Sequence, residues 1–186
     1  HYPLRRQRQM CIRDRGVSVS AFTGEQAGAL GWNSSEDIAA QTPGLVTASF
    51  AGDSSVSIFS VRGVGQNDFA DHQEAPTAMY VDGVYIANSG AAGFQMFDVE
   101  RIEVLRGPQG TMFGRNATGG LVHIINKKPT EEFEGYVDAT LGDFDQRRLE
   151  VAVSGPLTEN VLGRLSVLQE SACLLYTSPS PRDKRQ

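Results

Sequence analysis

Val99-Glu100-Arg101-Ile102-Glu103-Val104-Leu105-Arg106-Gly107-Pro108-Gln109-Gly110-Thr111-Met112-Phe113-Gly114 decides the fold. Its pattern predicts a strand over Val99–Leu105, a Gly-Pro break, and one helical turn over Gln109–Phe113. A further strand follows over Leu121–Ile125. Arg106 ends the first strand beside apolar neighbours, and Arg62 ends another, Val56–Val61, in the same way. Each is followed by Gly. A guanidinium in such a place usually has a carboxylate partner, because its fork suits bidentate pairing and its charge is costly to bury alone. Two partners fit: a surface ion pair inside this domain, or a carboxylate on a surface outside this chain.

Working upstream, Gly16–Phe22 alternates as a short strand. Thr23-Gly24-Glu25-Gln26 has capping-box spacing, which predicts a helix ending near Gly31. Ser34 and Ser35 are N-cap candidates for a second helix through Ala40, with Glu36 and Asp37 where the helix dipole favours them. Pro43-Gly44 ends it. Residues 63–77 form a polar loop. Ala78–Val81 and Val84–Ile86 flank Asp82-Gly83, a strong hairpin signal because Asp-Gly fits the positive φ values of a type I′ turn. A Gly-rich stretch, 90–93, follows.

Downstream of Lys127-Lys128-Pro129 the character changes. Phe133, Gly135, Val137, Ala139 and Leu141 fall on one face of a strand. Leu149, Val151 and Val153 alternate in the next run, and Val161, Leu165 and Val167 in a third. Such runs match the dyad pattern of membrane barrel strands, and equally a plain soluble antiparallel sheet. The boundary is placed near 130.

Twenty glycines among 186 residues favour turns over long helices. No run of about 18 apolar residues exists, which excludes a transmembrane helix but not a barrel. The segment 16–171 holds 9 basic and 20 acidic residues, while five arginines face one aspartate in 1–15 and three basic residues face one aspartate in 172–186. Basic arms ordinarily suggest nucleic acid or a membrane surface. Here Arg5–Asp14 and Cys173–Asp183 back-translate to runs resembling the two adapters of tagmentation sequencing libraries. Residues 1–15 and 172–186 are therefore expected to be adapter-derived and disordered, and are set aside. Both cysteines, Cys11 and Cys173, go with them, which removes a disulfide or thiolate metal site. No nucleic-acid partner is expected.

Other chemistry is absent by pattern. Gly114–Gly119 has phosphate-loop spacing, but Gly120 and Leu121 stand where Lys and Ser or Thr are needed. Asp68 breaks a dinucleotide fingerprint begun by Gly63 and Gly65. No nucleophile elbow and no zinc-protease motif appear. His72 lies among Asp68, Asp71 and Glu74 without paired ligand spacing, so solvated loop charges are expected, and His123 is expected to pack in its strand. No catalytic residue, metal or cofactor is assigned.

Val61-Arg62-Gly63, Met79-Tyr80-Val81-Asp82-Gly83-Val84, Val99–Gly114, Ala117-Thr118-Gly119-Gly120 and Asn126-Lys127-Lys128-Pro129 follow the order seen in TonB-dependent outer-membrane receptors, which the chain resembles over nearly all of 16–171. The resemblance implies an α+β plug, a small mixed sheet with short helices, over 16–129. The first antiparallel strands of a 22-stranded barrel, truncated here, would follow over 130–171. It implies a receptor of the Gram-negative outer membrane, in contact with lipid, for active uptake of a scarce ligand, typically a ferric siderophore. Cobalamin, haem or an oligosaccharide are alternative cargoes. A periplasmic β-rich hydrolase or adhesion module is the alternative class. TonB would pull on an N-terminal peptide upstream of Gly16. Arg62 and Arg106 would pair with barrel glutamates and hold the plug. The loops at 64–77 and 87–95 would face the ligand through Gln66, Asn67, Phe69, Asn88 and Phe94.

Overall fold

The computed structural model describes residues 18–50, 53–66, 74–87, 93, 95–142, 145–158 and 161–171. Both basic ends fall outside the described residues. The chain divides into two compact units between Lys127 and Lys128.

In the first unit, β1 (Ser18–Thr23) runs into α1 (Gly24–Ala29). The capping box at their junction is complete: Thr23 Oγ1 accepts from the Gln26 N–H at 3.2 Å, and Gln26 Oε1 accepts from the Thr23 N–H at 3.0 Å. Ser34 precedes a 3₁₀ turn, Ser35–Asp37, that continues into α2 (Ile38–Gln41). The Asp37 carboxylate holds this start by accepting from the Asn33 and Ser34 N–H groups. Next come β2 (Leu45–Phe50), β3 (Asp53–Val61), β4 (Thr77–Val81), β5 (Val84–Ile86), β6 (Val99–Arg106), α3 (Gly110–Phe113) and β7 (Gly120–Asn126). The pattern reading passed over β2. It pairs antiparallel with β3 as a separate two-stranded ribbon, Leu45 opposite Val61.

The main sheet has the order β1-β6-β7-β4-β5. Only β4 and β7 are parallel among its described pairs. Period-two alternation splits the apolar side chains between its faces. Met79, Ile102, Val104, Val122 and Ile124 pack with Ile38, Leu45, Phe59 and Val61 in one core. Ala78, Tyr80, Leu105 and Leu121 pack with Ala117 in a second. Register sets Ser18, Arg106, Gly120 and Thr77 in one row, so these four mark one end of the sheet.

The second unit is a three-stranded antiparallel sheet: β8 (Glu134–Leu141), β9 (Arg147–Thr158) and β10 (Val161–Ser171), in the order β10-β9-β8. Val137, Val151 and Val167 share one row, as do Gly135, Val153 and Leu165. This apolar face is open: Val137 and Leu165 are each 70% exposed. The opposite face carries ions and hydroxyls. Arg148 pairs with Glu170 at 3.0 Å and with Glu150 at 3.6 Å. Tyr136 donates to Glu150, and Gln146 donates to Glu170 at 3.2 Å. A soluble sheet buries its apolar face. Among the described residues the charged groups of one face are paired while the apolar side chains of the other stay exposed.

Candidate functional site

The site is built on three turns at the Arg106 end of the main sheet. Val61-Arg62-Gly63-Val64 closes on itself. The Val61 N–H donates to Val64 O at 3.1 Å and the Val64 N–H to Val61 O at 2.9 Å. Arg62 has φ +53° and Gly63 φ +80°, the signature of a type I′ turn. Asn, Asp or Gly suits the first of these positions; an arginine there is strained. The Arg62 N–H is held by Gly44 O at 2.7 Å. Its exposed side chain finds no hydrogen-bond or ionic partner among the described residues.

Arg106 approaches the same place from β6. Its Nη1 donates to Pro43 O at 2.9 Å and its Nη2 to Ser20 Oγ at 3.0 Å. Its Nε is buried and has no acceptor among the described residues. Neither arginine pairs with a carboxylate among the described residues, so the intradomain ion pair considered from the sequence is not formed there. A buried donor left empty is costly, and asks for an acceptor.

The Gly107–Gly119 loop folds back beside them. The Gly107 N–H donates to Gly119 O at 3.0 Å, the Gln109 N–H to Ala117 O at 2.8 Å, and the Gly119 N–H to Pro76 O at 3.0 Å. Tyr80 pins the loop through its hydroxyl, which donates to Phe113 O at 2.6 Å. Asn116 Nδ2 donates to the Tyr85 hydroxyl at 2.7 Å. The Tyr80 ring lies 5.2 Å from Phe113 and 6.2 Å from His123. Burial pushes the Tyr85 phenol up, against the opposing pull of the Asn116 bond. Burial also pushes the His123 imidazole down, against Glu103, and its Nε2 has no partner among the described residues. His123 is thus a neutral packing residue on half-buried ground.

Of the expected ligand contacts, Gln66 is described. Both polar atoms of its amide are buried without a partner among the described residues. Asn67, Phe69, Asn88 and Phe94 lie outside the described residues, as does His72. Among the described residues no group of three His, Cys, Asp or Glu side chains could hold a metal ion. The chain enters β4 at Thr77 and leaves β5 at Ile86 at the same end of the sheet. Pattern reading singled out both arginines as strand ends in want of a carboxylate. It missed Ser20, and it read Pro43-Gly44 only as a helix stop; the clue was a Pro-Gly pair entering an unrecognised strand.

Comparison with known proteins gives a consistent result. Residues 12–121 match the family model described as TonB-dependent receptor plug domain. The chain is 34% identical over 154 residues to the ferripyoverdine receptor of Pseudomonas aeruginosa, covering 82% of this chain and 18% of that protein. It is 29% identical over 155 residues to the pesticin receptor of Yersinia enterocolitica, covering 83% and 22%. The crystal structure of the ferric yersiniabactin uptake receptor of Yersinia pestis superposes with a TM-score of 0.73 at 29% identity, over 83% of this chain and 24% of that one. The chain therefore spans about a fifth of the length of the curated relatives it matches.

Proposed function

The chain belongs to the TonB-dependent receptor plug family, and from that premise we propose that it forms the plug and first barrel strands of an outer-membrane receptor that takes up a ferric siderophore. Residues 16–129 act as the plug and 130–171 begin the barrel wall. The observation that carries this reading is the reversal of burial at Lys127/Lys128. A sheet with two buried cores is followed directly by strands whose apolar face is bare. The ferric ligands named for two relatives support a siderophore as cargo.

The work is gating, and no bond is made or broken. The siderophore binds over the plug, where Gln66, Asn67, Phe69, Asn88 and Phe94 supply polar and aromatic contacts. It favours the state in which an N-terminal peptide is presented to TonB, and differential binding of this kind is all that a ligand can contribute. Pulling by TonB then shifts the plug. Arg62 and Arg106 oppose that shift by pairing with glutamates of the barrel. The exposed guanidinium of Arg62, with no ionic partner among the described residues, and the lack of any carboxylate on Arg106 among them support this role.

Two measurements test the reading. Cells lacking their own siderophore receptors should gain TonB-dependent radio-iron uptake when given a receptor carrying this segment. No uptake of any ferric siderophore, with uptake of cobalamin or haem instead, would refute the cargo. In planar bilayers, Arg62→Ala and Arg106→Ala should each raise ion leak; unchanged leak and unchanged uptake would refute the lock.

A further inference from the structure

Two consecutive carbonyls of one turn meet the two arginines. Pro43 O accepts from the Arg106 guanidinium, and Gly44 O accepts from the Arg62 backbone N–H. The turn itself is tied on both flanks: the Thr42 N–H donates to Ala39 O at 3.3 Å and the Leu45 N–H to Thr42 O at 3.1 Å. Gly44 sits at φ +79°, which an L-residue adopts only with strain. A Cβ there would stand 3.7 Å from Arg62 Cγ, an ordinary contact. Space is therefore not what requires glycine at this position; backbone handedness is. That handedness aims the Pro43 and Gly44 carbonyls at different arginines from one short segment.

We infer that the Pro43–Gly44 turn is a positioning element that sets both arginines together, so that the plug is held by one coupled unit and not by two independent ion pairs. This rests on the reading of Arg62 and Arg106 as the residues that hold the plug. Moving the turn removes the Arg106 acceptor and frees the strained Arg62 backbone in the same step. Truncating Arg106 loosens the turn and, through Gly44 O, the Arg62 N–H.

The test uses the receptor carrying this segment. Gly44→Ala should leak as much as Arg106→Ala, although no arginine has changed. Gly44→Asn should restore a near wild-type seal, because Asn tolerates the left-handed region. The Arg62→Ala/Arg106→Ala double variant should leak no more than the leakier single one, since coupled residues are not additive. Hydrogen exchange over 58–64 supplies a readout independent of leak. In Arg106→Ala the Arg62 amide should exchange about tenfold faster, the loss of roughly one net hydrogen bond of local stability. If both single arginine variants leak but Gly44→Ala seals, or the double variant leaks as the product of the singles, the coupling is refuted and the lock stands. If neither arginine variant leaks, the lock is refuted, and an unchanged Arg62 exchange rate in Arg106→Ala refutes the coupling as well.

Discussion

The Arg62-Gly63 and Asp82-Gly83 turns have nearly the same backbone and opposite justifications. Asp82 has φ +49° and Gly83 φ +83°, against +53° and +80° for Arg62 and Gly63. Asp82 belongs at such a position, and its carboxylate serves the fold. It accepts from the Asn126 N–H and from Asn126 Nδ2, each at 2.8 Å, and so clamps the end of β7. Arg62 gains nothing local from the same conformation. A strained residue persists only where its surroundings over-determine it, and such residues cluster at functional sites. Gly44 O supplies the constraint here. One turn places a residue suited to positive φ, and the other holds an arginine there against its preference.

The comparison can be tested in unfolding experiments, using Trp32 as reporter. It is the chain's one tryptophan, and it packs 4.9 Å from Phe22 inside the first unit. The largest effect should come from Asp82→Ala, which removes two charge-assisted hydrogen bonds and leaves Ala at positive φ, a loss of about 2 kcal/mol. A loss no greater than that of Arg62→Ala would erase the distinction. Gly63→Ala and Gly83→Ala should each cost about 1 kcal/mol, and by the same amount, because a Cβ meets nothing within 4 Å at either site and only φ matters. Clearly unequal urea midpoints would show that the turns are not equivalent in shape. Arg62→Asn should stabilise by about 0.5 kcal/mol while raising leak in the receptor; a destabilised variant would mean that Arg62 is not strained.

The smallest effect is in acid. His123 on β7 faces Tyr80 on β4, Phe113 on α3, Glu103 and Arg101 on β6, and Asp82 at the adjoining turn. Burial holds its pKa below the ordinary 6.5. Between the two values the unfolded chain binds more protons than the folded one, so stability is full above about pH 6.5 and is lost as pH falls toward the folded value. After correction for the intrinsic slowing of amide exchange in acid, protection should therefore fall first around Asp82-Gly83 and later around Arg62-Gly63. The reverse order, or the same slope in His123→Gln, would count against the assignment.

Legibility in the sequence followed how local the deciding physics was. Asp-Gly and the Thr23–Gln26 capping box act within four residues, and both formed as read. The alternation at Val137, Val151 and Val167 showed which side chains share a face, but not which face would be bare. The β2 strand hid because Ala48 and Ser49 carry little β signal and interrupt the short run Leu45-Val46-Thr47. The Arg62 turn hid because arginine is not a turn former. Its conformation comes from Gly44, eighteen positions away by number and one strand away in space. The parallel β4–β7 pair had no pattern to announce it.

The bond from Arg106 to Ser20 spans 86 positions, and β1 pairs along its whole length with β6. A chain made N-terminus first presents β1 with its partner strand still unmade, and the β1–β6 hydrogen bonds cannot close until that strand arrives. Contacts this distant slow assembly, and until then the edge is open to any other strand. The interval between the two strands is thus when the edge of β1 is most open to mispairing.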